Sequence, residues 1–242
     1  MARNRPRKSY LKHKPKPYQE ELAKHVPKKR QLFRKVGNET TEVTEEVVKL
    51  RMFAISWGFP FDEISYSLWT INTLRLGMMP WDEVSTSRST YLPTARNMIH
   101  DNFLEHSETP WLVMLDSDVL PPPDFLDRLL SHDKPFVGGW YRMKGGMEYP
   151  VVYDDNGKVD PENGHPLYNP RHEAGTGLEA VSALGAGCLI MHRDVAEAIG
   201  RSPYNLEGGG EDLALCRAID AAEYEVLVDW SVACAHLGVG FT

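Results

Sequence analysis

Apolar positions along this chain recur with two periods, and the way those periods alternate outlines an α/β order. Val47 to Ile55 reads as a first strand. Tyr66 to Leu76 places Leu68, Ile71, Leu74 and Leu76 at helical spacing, and Val84 to Thr86 fits a short strand. Pro93 is placed to open a helix bearing Ala95, Met98, Ile99 and Phe103, which delivers the chain to the apolar run Trp111 to Leu115. That run stops at Asp116-Ser117-Asp118 and Pro121-Pro122-Pro123, the pattern of a buried strand closed by a polar turn. Beyond it, Pro123 to Leu130 reads as a helix and Phe136 to Gly139 as a strand. Glu148 to Tyr153 reads as a strand entering a turn at Asp154-Asp155-Asn156-Gly157, and Gly157 to Gly177 as loop. Leu178 to Ala183 and Gly187 to His192 follow as strands, Asp194 to Ile199 and Glu211 to Ala222 as helices, and Glu225 to Val228 as the last strand. Such repeated alternation predicts a mostly parallel sheet with helices on both faces.

Composition narrows this to one catalytic-sized unit. With 242 residues, 42% hydrophobic and 25% charged, the chain can bury the core of a single α/β domain, expected over residues 46–242. Cys188, Cys216 and Cys234 have neither zinc-ligand spacing nor the look of a disulfide framework, which suits a reducing compartment. No apolar stretch approaches the roughly 20 residues that span a bilayer, and the N-terminus lacks an apolar signal core. A soluble, cytoplasmic protein without a transmembrane segment is therefore expected. The net charge of -7 hides a division: residues 1–36 carry 13 Lys and Arg against Glu20 and Glu21, a balance of +11, which leaves -18 for the remainder. Rich in proline and poor in apolar periodicity, residues 1–45 read as a disordered basic arm.

The chemistry concentrates in a few polar positions. Asp116 and Asp118, one residue apart at a strand end, can offer hard oxygen ligands to Mg²⁺ or Mn²⁺, although aspartate is also common in plain surface turns. Glu211 and Asp212 follow Gly208-Gly209-Gly210 at a helix start, where the macrodipole favours acids whatever their function. Arg96 near the start of its helix can reach a phosphate or a base carbonyl, or can be a solvated surface charge. Trp140, within Gly138-Gly139-Trp140-Tyr141-Arg142, can hold a sugar or pack in the core.

Taken in order, these segments look like a known enzyme family. Ala95-Arg96-Asn97, Trp111 through Asp118, Pro121 through Asp124, Val137 through Arg142, Gly185 through Ile190, Gly210 through Ala218 and Val226 through Gly238 resemble the GT-A-type glycosyltransferases, particularly the family 2-like branch, over about Leu50 to Gly238. The resemblance implies a GT-A-like α/β fold and transfer of a sugar from a nucleoside-diphosphate sugar to an unidentified acceptor hydroxyl, with inversion. It further implies that Asp118 binds a Mn²⁺ or Mg²⁺ ion directly and that Asp116 meets the ribose or the ion through water. His236 would complete the metal site, Asp212 would act as general base with Glu211 orienting the acceptor, and Trp57 would lie near the nucleotide base. Acceptor choice is expected in the segment Gly157 to Gly177. Two other classes stay open. A sugar-phosphate nucleotidyltransferase also uses aspartates and a divalent ion, but Ser56-Trp57-Gly58-Phe59-Pro60 is a poor match to its signature loop. A non-catalytic nucleic-acid-binding protein would work through the basic arm.

Clustered Lys and Arg release counterions when they meet phosphates, so residues 1–36 are expected to engage a polyanion, nucleic acid or an anionic surface, with steep salt dependence. In titrations with duplex DNA, RNA and anionic vesicles at two salt concentrations, the full chain should bind more tightly than a chain lacking residues 1–36, and the difference should shrink at the higher salt. Equal binding by both forms at low salt would remove the arm from recognition.

Overall fold

The computed structural model describes residues 54–61, 67–73, 76–79, 82–89, 91–144 and 149–237, together with the backbone of 32–36 and 39–43. In the N-terminal unit, strands β1 (Leu32–Val36) and β2 (Glu39–Val43) form an antiparallel pair. The rest of the basic segment, with its expected polyanion contacts, lies outside the described residues.

Residues 54–242 form the second unit, built on a seven-stranded sheet. Its strands are β3 (Ile55–Phe61), β4 (Glu83–Arg88), β5 (Trp111–Leu115), β7 (Phe136–Trp140), β10 (Leu178–Ala180), β12 (Cys188–His192) and β13 (Leu227–Ala233), in the spatial order β10-β13-β7-β12-β5-β3-β4. β4, β3 and β5 pair in parallel, β12 runs antiparallel between β5 and β7, and β13 is again parallel to β7. Only β12 and β10 oppose the common direction, so the sheet is mixed with a mostly parallel core, as the alternating pattern predicts.

Every residue of β5 is buried, and period-two alternation divides it between the faces. Leu112 and Met114 join the cluster of Ile99 and Phe103 from α2 (Leu92–His106), Val195 and Ala196 from α4 (Arg193–Ile199), and Leu215 and Ile219 from α5 (Glu211–Ala221). On β3, Trp57 stacks on Phe59 and meets Phe125 of α3 (Phe125–Ser131) edge-on, while Phe59 meets Trp69 of α1 (Ser67–Thr73). Gly58 sets the seating of α2, since a Cβ there would collide with the Ile99 side chain. Among the described residues no helix is long and apolar enough to cross a membrane.

Four expectations need correction. The first strand is Ile55–Phe61 rather than Val47–Ile55, of which residues 47–53 lie outside the described set. Ile55, Trp57 and Phe59 alternate strictly, and Pro60, opposite Ser87, falls past the last residue that β5 pairs, where its missing N–H leaves no gap in that ladder. Asp154 to Gly157 is not a turn. β8 (Val152–Val159) runs through it with an irregularity between Asp155 and Val159, and the chain reverses at Asp160 to Gly164 instead. The stretch read as loop contains β9 (Pro166–Pro170), which pairs with β8. Finally, Leu178 to Ala183 is divided between β10 and β11 (Ala183–Leu184), and the last long strand extends to Ala233. Beyond it β14 (Ala235–His236) pairs with β6 (Val119–Leu120), immediately after the Asp116-Ser117-Asp118 turn.

Asp229 on β13 ties the sheet to α3's far end. It is 2% exposed and lies 2.7 Å from His132 Nε2, and its Oδ1 accepts from Ser231 N at 2.8 Å. Burial works against its charge, but the bonds from His132 and Ser231 prevail and hold its carboxyl below the ordinary value. The stability added by this ionisation is therefore complete above about pH 4 and is lost as pH falls through the lowered value. Asp229→Asn should lower the unfolding free energy by about 1–2 kcal/mol in urea titrations at pH 7, with the difference shrinking toward pH 3.

Candidate functional site

The acids flagged in sequence meet at the carboxyl end of β5, where ligands of open α/β sheets gather. β5 carries Asp116 past its last residue. There Asp116 N–H donates to Gly187 O at 2.9 Å, and its carbonyl accepts from Trp69 Nε1 at 2.8 Å. Gly187 is required here because a Cβ would stand 2.8 Å from both Asp116 Oδ2 and the Tyr141 hydroxyl. Its own N–H donates to that hydroxyl at 3.0 Å. On the far side of the cluster, Gly208, Gly209 and Gly210 all have positive φ, of 63, 108 and 135°, which lets the chain turn abruptly into α5 and place Glu211 and Asp212 in its first turn.

Between these acids sits Arg96, and its burial overturns the alternative of a solvated surface charge. It is 1% exposed, on the buried stripe of α2 that also holds Pro93, Ile99 and Phe103. Nη2 lies 2.7 Å from Asp116 Oδ2, Nη1 lies 3.0 Å from Glu211 Oε1, and Nη1 also donates to Asp212 Oδ1. Burial alone would lower the Arg96 pKa, but the charges of Asp116 and Asp212 more than reverse it and hold the guanidinium well above its ordinary value. Asp116 and Asp212 are both raised, chiefly by burial and then by neighbouring acids, against the opposing pull of Arg96. Asp116 Oδ1 is buried with no hydrogen-bond partner among the described residues.

Asp118 occupies a different environment. Lys144 Nζ donates to its Oδ2, and His236 Nε2 stands 3.6 Å from its Oδ1. Burial opposes ionisation, but the bonds from His236 and Lys144 outweigh it and hold the Asp118 carboxyl below the ordinary range. β14 positions His236, whose Nδ1 lies 2.8 Å from Arg142 O, and Leu237 N–H donates to Asp118 O at 2.7 Å. Among the described residues no three His, Cys, Asp or Glu side chains close round one point.

Thus Asp116, Arg96, Glu211 and Asp212 form one cluster, and Asp118 with His236 forms an adjoining one. The two tryptophans are placed elsewhere. Trp57 is fully buried, its Nε1 donating to Asp82 Oδ2 at 2.8 Å. Trp140 is half-buried at the end of β7, its Nε1 donating to Trp230 O at 2.9 Å with the Arg142 guanidinium 5.9 Å from its ring. Sequence reasoning missed Lys144 and Tyr141. Nothing local marks Lys144, whereas Tyr141 lies within the same aromatic run as Trp140.

Removing one partner of a buried charge group leaves the others uncompensated, a loss of about 3–5 kcal/mol. Arg96→Ala should lower unfolding stability on that scale in urea denaturation, with Arg96→Lys recovering part of it. Stability within 1 kcal/mol of the parent (roughly the scale of an exposed pair) would show that the cluster does not hold the site together.

No protein-family model and no curated protein matches the sequence. Among solved structures the chain is similar to A197 from STIV, with a TM-score of 0.57 and 19% identity over 76% of this chain and 86% of that one. It is also similar to GalNAc-T7 solved with UDP, GalNAc and Mn²⁺, with a TM-score of 0.52 and 12% identity over 77% of this chain and 44% of that one. The mixed sheet with its mostly parallel core and flanking helices is accordingly a GT-A-like fold.

Proposed function

We propose that this chain is a divalent-metal-dependent glycosyltransferase that moves a sugar from a nucleoside-diphosphate sugar to an acceptor hydroxyl with inversion. The observation that carries the reading is the charge left over at the strand end. Among the described residues, the four acids Asp116, Asp118, Glu211 and Asp212 pair with two cations, Arg96 and Lys144, so the cluster has two more acids than Lys and Arg, with His236 at its edge. An uncompensated pair of charges, with the unpartnered Asp116 Oδ1, fits one divalent cation. Asp118 and His236 would hold the ion, with Asp116 beside it, and a bound ion would supply positive charge to a departing diphosphate. Mn²⁺ accompanies UDP in the similar GalNAc-T7 structure, and the chemistry of mixed carboxylate and imidazole ligands agrees with it.

The protein's own groups divide the remaining work. Lys144 holds Asp118 Oδ2, and an ion held by Asp118 would compete with it for that carboxylate. Asp212 is the general base that accepts the acceptor's proton: burial raises its pKa, which strengthens it as a base, while the Arg96 charge opposes that rise. Glu211, on the same guanidinium, orients the acceptor or its neighbouring backbone. Arg96 is a positioning residue that fixes Asp212 relative to Asp116. Trp140 can flank the sugar.

A panel of nucleoside-diphosphate sugars with Mn²⁺ tests the reading by release of nucleoside diphosphate, whereas pyrophosphate release from a nucleoside triphosphate and a sugar phosphate would indicate nucleotidyl transfer. Asp118→Asn should fold as the parent does, lose Mn²⁺ binding measured by water-proton relaxation, and lose metal-dependent turnover by about 10² or more. Full turnover in that variant, or in the parent with chelator, would overturn the metal assignment. Asp212→Asn should slow transfer while leaving nucleotide-sugar affinity in calorimetry within about twofold, and an equal loss of both would remove Asp212 as a dedicated base.

A further inference from the structure

Beside the start of α5 lies a cavity of about 280 Å³ that the acid cluster does not fill. One wall is the β8–β9 pair, which contributes Tyr153, Tyr168 and His165, and the other is the triple-glycine segment with Leu213 of α5. The two walls are held together by construction. At Gly208 a Cβ would stand 2.8 Å from the His165 ring, so the close approach depends on glycine. Arg217 donates to Gly208 O at 3.0 Å and to Glu207 O, and it also hydrogen-bonds the Tyr168 hydroxyl, so one side chain locks both walls. Tyr153 and Tyr168 rest on the core through part of each ring, with the remainder open to the cavity. Asp160 and Asn163 sit at the rim.

This cavity is electrostatically joined to the proposed base. The Tyr153 hydroxyl is pushed up to about 12, by burial first and by the charge of Asp212 next, and it has no hydrogen-bond partner among the described residues. A molecule lodged here would sit at the start of α5, against Leu213, the residue that follows Asp212.

We infer that this cavity is the acceptor site and that the acceptor is a saccharide end, an inference that rests on the glycosyltransferase reading. A pyranose presents an apolar face of C–H groups and a rim of hydroxyls. Tyrosine rings with Leu213 match the first, and the carboxylate, amide and imidazole of Asp160, Asn163 and His165 match the second. Among the described residues neither Lys nor Arg lines the cavity, which disfavours a phosphate-bearing acceptor. Its volume falls just under the roughly 300–1,000 Å³ of drug-sized sites, suited to a terminal sugar rather than to a folded protein surface. In the transfer, the acceptor oxygen forms a bond to the anomeric carbon as the bond from that carbon to the diphosphate oxygen breaks. The acceptor proton passes to Asp212, and the nucleoside diphosphate leaves with the bonding electron pair.

The test uses the full chain with methyl glycosides of glucose, galactose, mannose and N-acetylglucosamine, beside a Ser/Thr-rich peptide and anionic phospholipid vesicles. Saturation-transfer NMR should show binding of at least one glycoside, and that glycoside should be glycosylated when a donor is present. Tyr168→Ala should weaken glycoside binding by about tenfold or more, while the nucleotide Kd stays within about twofold. Asn163→Ala, at an exposed rim position whose side chain also bonds Asp160 and the His165 backbone, should weaken it by about threefold or more, with circular dichroism checking that the fold is kept. Transfer to the peptide or lipid alone, or glycoside binding untouched by both variants, overturns the proposal. Glycoside binding that both variants weaken, without nucleoside diphosphate release from any donor, leaves the saccharide site standing and overturns the transferase reading instead.

Discussion

A single buried cation organises the carboxyl edge of this sheet. Arg96 reaches across 20 residues of sequence to Asp116 and across 115 and 116 residues to Glu211 and Asp212. Without a cation in that position, three acids on α5 and at the end of β5 would repel one another in a poorly solvated space, and each would escape by protonation or by moving toward solvent. The guanidinium suits this place better than an ammonium because its planar fork can serve several carboxylates at once and its charge survives burial. The helix that carries it is seated by Gly58 beneath Ile99, and the strand that carries Asp116 is held by Gly187. Close backbone approach and charge matching are thus parts of one device.

Much of that device was visible in the chain's periodicity. β5, α2 and α5 are each a long or unbroken pattern bounded by Pro or Gly, and the structure reproduces β5, α5 and the start of α2 to within two residues. Arg96 itself was open to a sharper reading. It falls on the same helical stripe as Ile99 and Phe103, three and seven residues on, so the period that predicts the core also points the arginine inward. What could not be read was the partner of that charge, because ion pairs 115 residues apart leave no local pattern. β9 was hidden for a related reason. Its sequence, Pro-Leu-Tyr-Asn-Pro, begins and ends with proline, and it becomes a strand only because β8 supplies the pairing. Trp57, likewise, has an order in sequence compatible with a ligand contact, while its alternation with Ile55 and Phe59 already implied the buried face on which the structure places it.

The acids Asp118 and Asp212 are pushed in opposite directions by their surroundings, and the proposed division of work follows that separation. Asp118 sits among donors, Lys144 and His236, that favour its anion and keep its proton affinity low. Asp212 sits among buried groups and another carboxylate, which raise its proton affinity, with Arg96 restraining the rise. A carboxylate with low proton affinity is suited to hold a cation continuously, whereas one with raised affinity is suited to take up a proton during turnover. Exchanging the two residues' roles would set a weak base beside the acceptor and a partly protonated ligand beside the ion. In the proposed reading the ion falls on the β6–β14 side, with Asp118, and the acceptor on the α5 side, where Leu213 lines the Tyr153 and Tyr168 cavity.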